Sequence, residues 1–334
     1  MTPDLTRREA VVQIAGSAAA AMLLSRLSPA RTFDDPEPLP LIALGKTGRT
    51  LPRLGLGCHP IGALAKDEDA IAVLHRAMDV GVRYFDTAPS YGDGRSERRV
   101  GTALKTWLKD HTASKREDFY IATKTLHRDG TKARKELDAS LDRLGLEYVD
   151  CLQCHEVHND WESLFADDGV VNALNKARDE KRIRHLGITG HRNPKWVSAA
   201  ITRLPPKADG SGFVTALVPV NPVDVRHMSF VREFLPRAAE LGVCVIAMKI
   251  FGGGFLLSHM TEDGKKAYTP EDLIRYALAQ QAVGVVVPGC DSIEQVAADH
   301  AALAPWKQPD GAFLTELEKR APPHLGKKTE WYKE

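Results

Sequence analysis

The chain has 334 residues, 43% of them hydrophobic and 27% charged, with a formal net charge of +1 at pH 7. That length suits one large α/β barrel or two ordinary domains, in the composition range of globular proteins. The near-zero charge, with no long basic run or aromatic-basic stripe, argues against a nucleic-acid partner.

From the N-terminus, residues 1–30 place Arg7 and Arg8 ahead of a weakly apolar stretch, Ala10–Leu24, and then small residues at Ser28 and Ala30. This is the layout of a removable export signal. The paired arginines resemble the twin-arginine type, which is read by the bacterial machinery that exports folded proteins. The resemblance implies a periplasmic protein with that machinery as a partner. The apolar core of about 15 residues is short of the roughly 20 needed for a stable membrane span. A plain amphipathic or disordered N-terminal segment is the alternative. Residues 31–40 (RTFDDPEPLP) carry three prolines and no periodicity, and read as a linker. Residues 41–334 read as a single domain.

That domain opens with LIALGKTGRTLPRL, whose glycine-flanked form suits a hairpin. Eight short apolar runs follow: Arg53–Cys58, Arg83–Asp86, Phe119–Thr123, Tyr148–Gln153, His185–Ile188, Ala216–Val220, Val243–Met248 and Gly284–Val287. Between them apolar residues recur at three- and four-residue spacing, as in DEDAIAVLHRAMDVG and TKARKELDASLDRLG. Several of these helical runs stop at a glycine, among them Gly81, Gly145, Gly242 and Gly284. Eight strand–helix units predict a parallel sheet closed into a (β/α)₈ TIM barrel, with the hairpin capping its floor. The rival is a doubly wound open sheet, which carries a glycine-rich fingerprint leading into a helix; here RLGLGCHPIG is followed by no clean helix start. The five cysteines, Cys58, Cys151, Cys154, Cys244 and Cys290, are odd in number and scattered, which argues against a disulfide framework. Cys151 and Cys154 lie three apart on a strand, on opposite faces.

In such a barrel the chemistry sits at the C-terminal ends of the strands. Four polar residues fall there: Asp86 at the end of the second run, Tyr91 in the loop beyond it, Lys124 ending the third and His155 ending the fourth. Each alone has an ordinary packing explanation. Four on three consecutive strands, all at one end, do not. The surrounding block GVRYFDTAPSYGDGRSERRVG, with FYIATKT, SLDRLGLEYVDCLQCH and VPGCDSIEQV, resembles the aldo-keto reductases over nearly all of residues 41–300. The resemblance implies an NAD(P)-dependent oxidoreductase acting on a small carbonyl or alcohol, with Asp86, Tyr91, Lys124 and His155 as its catalytic tetrad. A free phenol titrates near pH 10. A lysine beside it is expected to lower that value, with the carboxylate holding the lysine in place. Tyr91 then acts as general acid or base, and His155 orients the carbonyl.

Several cofactor contacts implied by the resemblance are altered. Thr189-Gly190, followed by His191, replaces the serine-asparagine pair that grips the nicotinamide amide; Leu217 stands for a glutamine and Met248 for the stacking aromatic. Lys249 reads either as a cation for a cofactor phosphate or as a lysine reaching solvent. Gly252, Gly253 and Gly254 either admit a pyrophosphate or form a flexible turn. Around Gly289, the basic residue of an NADP site is missing, and Cys290, Asp291 and Gln295 stand there instead, with Ala298-Asp299 near the adenine. The acidic Asp291 favours NAD slightly over NADP. The competing readings are a barrel that binds a sugar or small carbonyl without turnover, and a scaffold subunit of an exported complex. His158, Trp161, Trp331 and Tyr332 offer no substrate code; a sugar, a small aldehyde or a steroid fits equally well.

Overall fold

In Tyr84–Asp86, Tyr120–Thr125 and Val149–Cys154 every residue is buried. Strands covered on both faces belong in a parallel sheet wrapped by helices, and that is the architecture of the computed structural model, which describes residues 36–261, 264–321 and 330–333. The expected export signal, residues 1–30, and residues 31–35 of the expected linker lie outside the described residues.

In chain order, β1 (Leu41–Ala43) and β2 (Thr50–Pro52) form the antiparallel hairpin. Then come β3 (Leu56–Gly57), α1 (His59–Ala63), α2 (Asp67–Asp79), β4 (Tyr84–Asp86), α3 (Arg95–Asp110), β5 (Tyr120–Thr125), α4 (Gly130–Leu144), β6 (Val149–Cys154) and α5 (Val170–Asp179). The second half holds β7 (Ile183–Thr189), α6 (Pro194–Arg203), β8 (Phe213–Pro219), α7 (Leu235–Leu241), β9 (Cys244–Met248), α8 (Phe255–Ser258), α9 (Pro270–Ala279) and β10 (Val283–Val286). The chain continues with α10 (Ile293–Ala301) and α11 (Gly311–Lys319). Strands β3 to β10 pair in sequence order, all parallel, and bridges from Leu54 to Val286 and from Gly57 to Gly289 bring the first strand back to the last. The (β/α)₈ barrel expected from the alternation is the fold found.

Its apolar interior has two layers. Inside the strands lie Tyr84, Tyr120, Ala122, Cys151, Leu217, Ile246 and Val285, closed at the floor by Leu44 and Leu51 of the hairpin region. Between strands and helices lies the larger outer cluster, which includes Cys58, Cys154 and Cys290. Cys151 and Cys154 fall in different layers, as their spacing requires, and all five cysteines are buried and free.

Two expectations need correction. A helix does start at once after Cys58: α1, with Pro60 in its first turn, where the missing N–H is harmless. Strands β7 and β8 begin two and three residues earlier than their apolar runs. In β7 the interruption is Arg184, tolerated because its guanidinium reaches the buried Asp150 at 3.1 Å. Among the described residues no helix is long and apolar enough to cross a membrane.

Candidate active site

The four strand-end residues converge. Asp86 is the last residue of β4, and Lys124 sits on β5 two residues beyond the Asp86–Ala122 register pair. Lys124 Nζ donates to Asp86 Oδ2 at 2.6 Å and to the Thr87 carbonyl at 2.7 Å. The same ammonium stands 4.5 Å from the centroid of the Tyr91 ring. His155, immediately after β6, meets Tyr91 edge-on with ring centroids 6.3 Å apart. His59 of α1 flanks Tyr91 from the other side at 5.1 Å.

The Tyr91 loop is held by backbone contacts that only small residues permit. A Cβ on Gly62 of α1 would stand 2.6 Å from the Tyr91 carbonyl oxygen, and one on Gly92, whose φ is +62°, would press on the Gly62 backbone. Ser96, at the start of α3, donates its hydroxyl to the Cys58 carbonyl at 2.8 Å and ties the far end of the loop to the first strand. So β4, the loop and α1 present the phenol as one rigid unit.

The electrostatics differ from expectation at one point. Tyr91 is partly exposed, yet burial pushes its phenol up; Lys124 pulls it down, Asp86 pushes it up again, and it ends above its ordinary value. Burial wins over the neighbouring cation. Lys124 shows the converse balance: burial would lower it, yet Asp86 and Tyr91 outweigh that and hold it raised, so it stays an ammonium. His155 falls to about 2, through burial first and then Lys124, so its imidazole is neutral at working pH. A neutral ring keeps one N–H to donate and one nitrogen to accept.

The residues expected around a cofactor separate into two groups. Thr189 ends β7 with its hydroxyl accepting from Glu156 N at 2.9 Å, so it braces the loop after β6. At Gly190 a Cβ would clash with Val197, so glycine there serves the packing of α6. Leu217 is part of the barrel interior. Gly289 lies against Pro60, where a Cβ would come within 2.9 Å. The Gln295 side chain accepts from Asp291 N at 2.9 Å and is occupied at the start of α10; Asp291 is exposed. Asp299 is buried against the Cys290 thiol at 3.3 Å, and burial raises its carboxyl to about 7.

The second group is open. Met248 ends β9, partly exposed. Lys249 follows with φ +51°, its ammonium 4.8 Å from the Tyr332 ring and 5.3 Å from Trp331; burial lowers it, and the Glu156 carboxylate acts on it without closing an ion pair among the described residues. Gly252, Gly253 and Gly254 all have positive φ; beyond Gly254 there is no atom within 4 Å of a Cβ position, and beyond Gly253 only a Phe255 carbon at 3.9 Å. A cation with no close carboxylate, beside the exposed backbone of Gly253 and Gly254, fits the diphosphate of a dinucleotide. The nicotinamide end has less: His191, lowered to about 4 by burial and then by Lys249, stacks on Tyr332 at 5.8 Å.

Sequence reasoning missed several residues of this mouth. Lys333 is buried, donating to Asp224 Oδ1 at 2.7 Å and to the His227 carbonyl at 2.8 Å, with Glu330 Oε1 at 2.9 Å, and so seats Tyr332. Asn221 bonds the Lys249 carbonyl at 3.3 Å. Gln153, inside β6, donates to Asp86 Oδ1 at 2.7 Å. Only Gln153 left a signal, as an amide in a strand that is otherwise apolar around it.

Residues 53–273 match the model of the aldo/keto reductase family. The chain belongs to that family. Among curated relatives it is similar to L-galactose dehydrogenase of Arabidopsis thaliana, 29% identical over 83% of this chain and 93% of that one. It is also similar to D-threo-aldose 1-dehydrogenase of a Pseudomonas species, 29% identical over 69% of this chain and 76% of the other. Among solved structures, the aldo-keto reductase from Klebsiella pneumoniae in complex with NADPH superposes with a TM-score of 0.66 at 22% identity, over 86% of this chain and 96% of that one. This aldo/keto reductase is an NAD(P)-dependent oxidoreductase.

Proposed function

We propose that the protein interconverts a small hydroxylated carbonyl compound and its alcohol, with Tyr91 as the group that moves the proton. The observation that carries this is the buried Asp86–Lys124 pair at 2.6 Å with the Lys124 ammonium over the Tyr91 ring. Bound nicotinamide supplies or accepts the hydride. Tyr91 Oη gives its proton to the carbonyl oxygen in the reductive direction and takes it back in the oxidative one. Neutral His155 donates a hydrogen bond to the same oxygen and fixes its direction. The names of the two curated relatives, one a galactose and the other an aldose dehydrogenase, support a sugar among the candidate substrates, and the exposed Trp331 beside Lys249 suits a sugar face. Lys249 with Gly252–Gly254 would hold the diphosphate, and the acidic Asp291 supports NAD at least as well as NADP. Arg7 and Arg8 support export by the twin-arginine route, with a mature chain beginning near Arg31 and the nicotinamide carried out already bound.

Tyr91→Phe tests the core of this reading, because it removes one hydroxyl and keeps the ring. Turnover, followed by the absorbance of reduced nicotinamide, should fall by at least about 10²-fold with cofactor still bound. A variant that works at the parent's rate would remove Tyr91 from the chemistry.

A further inference from the structure

Among the described residues, one side chain besides Lys124 hydrogen-bonds the Asp86 carboxylate. Gln153 is fully buried on β6 and lies opposite Lys124 in the strand register. Its Nε2 donates to Asp86 Oδ1 at 2.7 Å, while Lys124 takes Oδ2 at 2.6 Å. The other end of the amide, Oε1, is buried with no hydrogen-bond partner among the described residues. Burying an unpaired carbonyl is unfavourable, and leucine would fill the same space without it. The barrel also leaves room for this amide: its register neighbour on β7 is Gly187, where a Cβ would stand 2.9 Å from Gln153 Cγ. Packing alone therefore favours a different residue. The benefit of glutamine lies at its donor end.

We propose that Gln153 is a positioning residue for proton transfer at Tyr91, acting through Asp86. It claims the carboxylate oxygen that Lys124 does not use. The carboxylate is thereby locked in one orientation, and part of its negative charge is drawn by the amide. Lys124 stays over the Tyr91 ring instead of being drawn onto both oxygens. The charged and titratable groups facing Tyr91 are Lys124, Asp86, Cys58, His59 and His155, with Lys249 beyond His59. Burial keeps the Cys58 thiol protonated, and both histidines are lowered by burial and are neutral at working pH. Asp86 is then the negative charge acting on the phenol, and Gln153 moderates it. This rests on the reading of Tyr91 as acid and base.

Two variants of the full chain test it, with 4-nitrobenzaldehyde and NADPH as the probe pair and Tyr91→Phe alongside. Gln153→Leu keeps the volume and loses the donor. Its kcat should fall by about tenfold at every pH, with KM and cofactor affinity within about twofold, because an acid weakened by an unmoderated carboxylate slows proton delivery and not binding. Gln153→Glu can donate while protonated. It should match the parent near pH 5 and lose about tenfold by pH 8, as a second carboxylate ionises beside Asp86. Tyrosinate absorbance, parent minus Tyr91→Phe, gives a reading free of any substrate: the step should move to higher pH in Gln153→Leu. A Gln153→Glu profile parallel to the parent's, or a Gln153→Leu variant with unchanged kcat and titration, would overturn the proposal while a dead Tyr91→Phe leaves the tetrad standing. A Tyr91→Phe variant at full rate would instead bring down the reading beneath it.

Discussion

At the Tyr91 hydroxyl two opposing influences meet. Burial and Asp86 raise the phenol, and Lys124 lowers it without prevailing. In the proposed mechanism Lys124 is thus the residue that keeps proton exchange within reach. Replacing it by methionine keeps much of the stem and removes the charge. Lys124→Met should cut turnover by about 10²-fold, and what remains of the oxidative rate should rise only at higher pH than in the parent. A residual profile that keeps the parent's pH dependence would show that the ammonium does not govern the phenol. The same burial that raises Tyr91 also keeps His155 neutral, which suits the separate roles proposed for the two neighbouring rings, Tyr91 moving a proton and His155 aiming the carbonyl.

At the scale of elements, the mouth is built by the ends of β7, β8 and β9 together with residues 330–333. The Lys333 ammonium is surrounded by Asp224, Glu330 and two backbone carbonyls, a buried set in which loss of one partner would strand the others' charge. That anchor sets Tyr332 against His191 and beside Lys249. Lys249 has two aromatic faces and, among the described residues, no carboxylate at ion-pair distance, only Glu156 acting on it from farther off, an arrangement that an anion completes. Lys249→Met should weaken NAD and NADP alike, by about tenfold or roughly 1.4 kcal/mol in a fluorescence titration, since the diphosphate is common to both. In the parent, NADP should be no more than about tenfold tighter than NAD. Tighter NADP binding than that would contradict the part assigned to Asp291. Equal affinities in parent and variant would send Lys249 back to solvent.

For the whole molecule, burial of neutral histidines makes stability depend on pH. His191 and His155 hold folded values of about 4 and about 2, against roughly 6.5 in an unfolded chain. Below pH 6.5 the unfolded chain takes up more protons, so stability falls with falling pH, by up to about 1.4 kcal/mol per unit for each ring. Asp299 and Glu330, both raised to about 7, act in the opposite sense: they favour the folded state at low pH and lose that contribution as pH rises through 7. The parent's curve is a sum of both. The informative quantity is the difference between the parent and His191→Gln, whose urea midpoint should change less between pH 6.5 and 5. Parallel curves would show that His191 is already open to protons. The proposed export also belongs to the whole chain. Replacing Arg7 and Arg8 by lysine should retain the protein in the cytoplasm, read by fractionation, and unchanged export would exclude the twin-arginine route.

Strand order, barrel closure and the hairpin floor were legible in the sequence because they follow from short-range pattern. Runs buried on both faces alternate with amphipathic helices, and a glycine-flanked pair of short strands precedes them. The block around Asp86 and Tyr91 was legible for the same reason, being continuous in the chain. Lys124 and His155 could be placed because each ends a strand. What the sequence could not decide were the contacts between strands far apart in the chain. Nothing in the sequence signals that Gly190 makes room for Val197, or that the Thr189 hydroxyl oxygen accepts from the backbone of Glu156. Lys333 reaches Asp224 across 109 positions, and Gln153 reaches Asp86 across 67. The sign of the shift on Tyr91 belongs with these, because it depends on how far the closed barrel withdraws the phenol from solvent and on which charges then face it. Periodicity records which face of an element is apolar; only closure of the sheet decides which polar groups then share that interior.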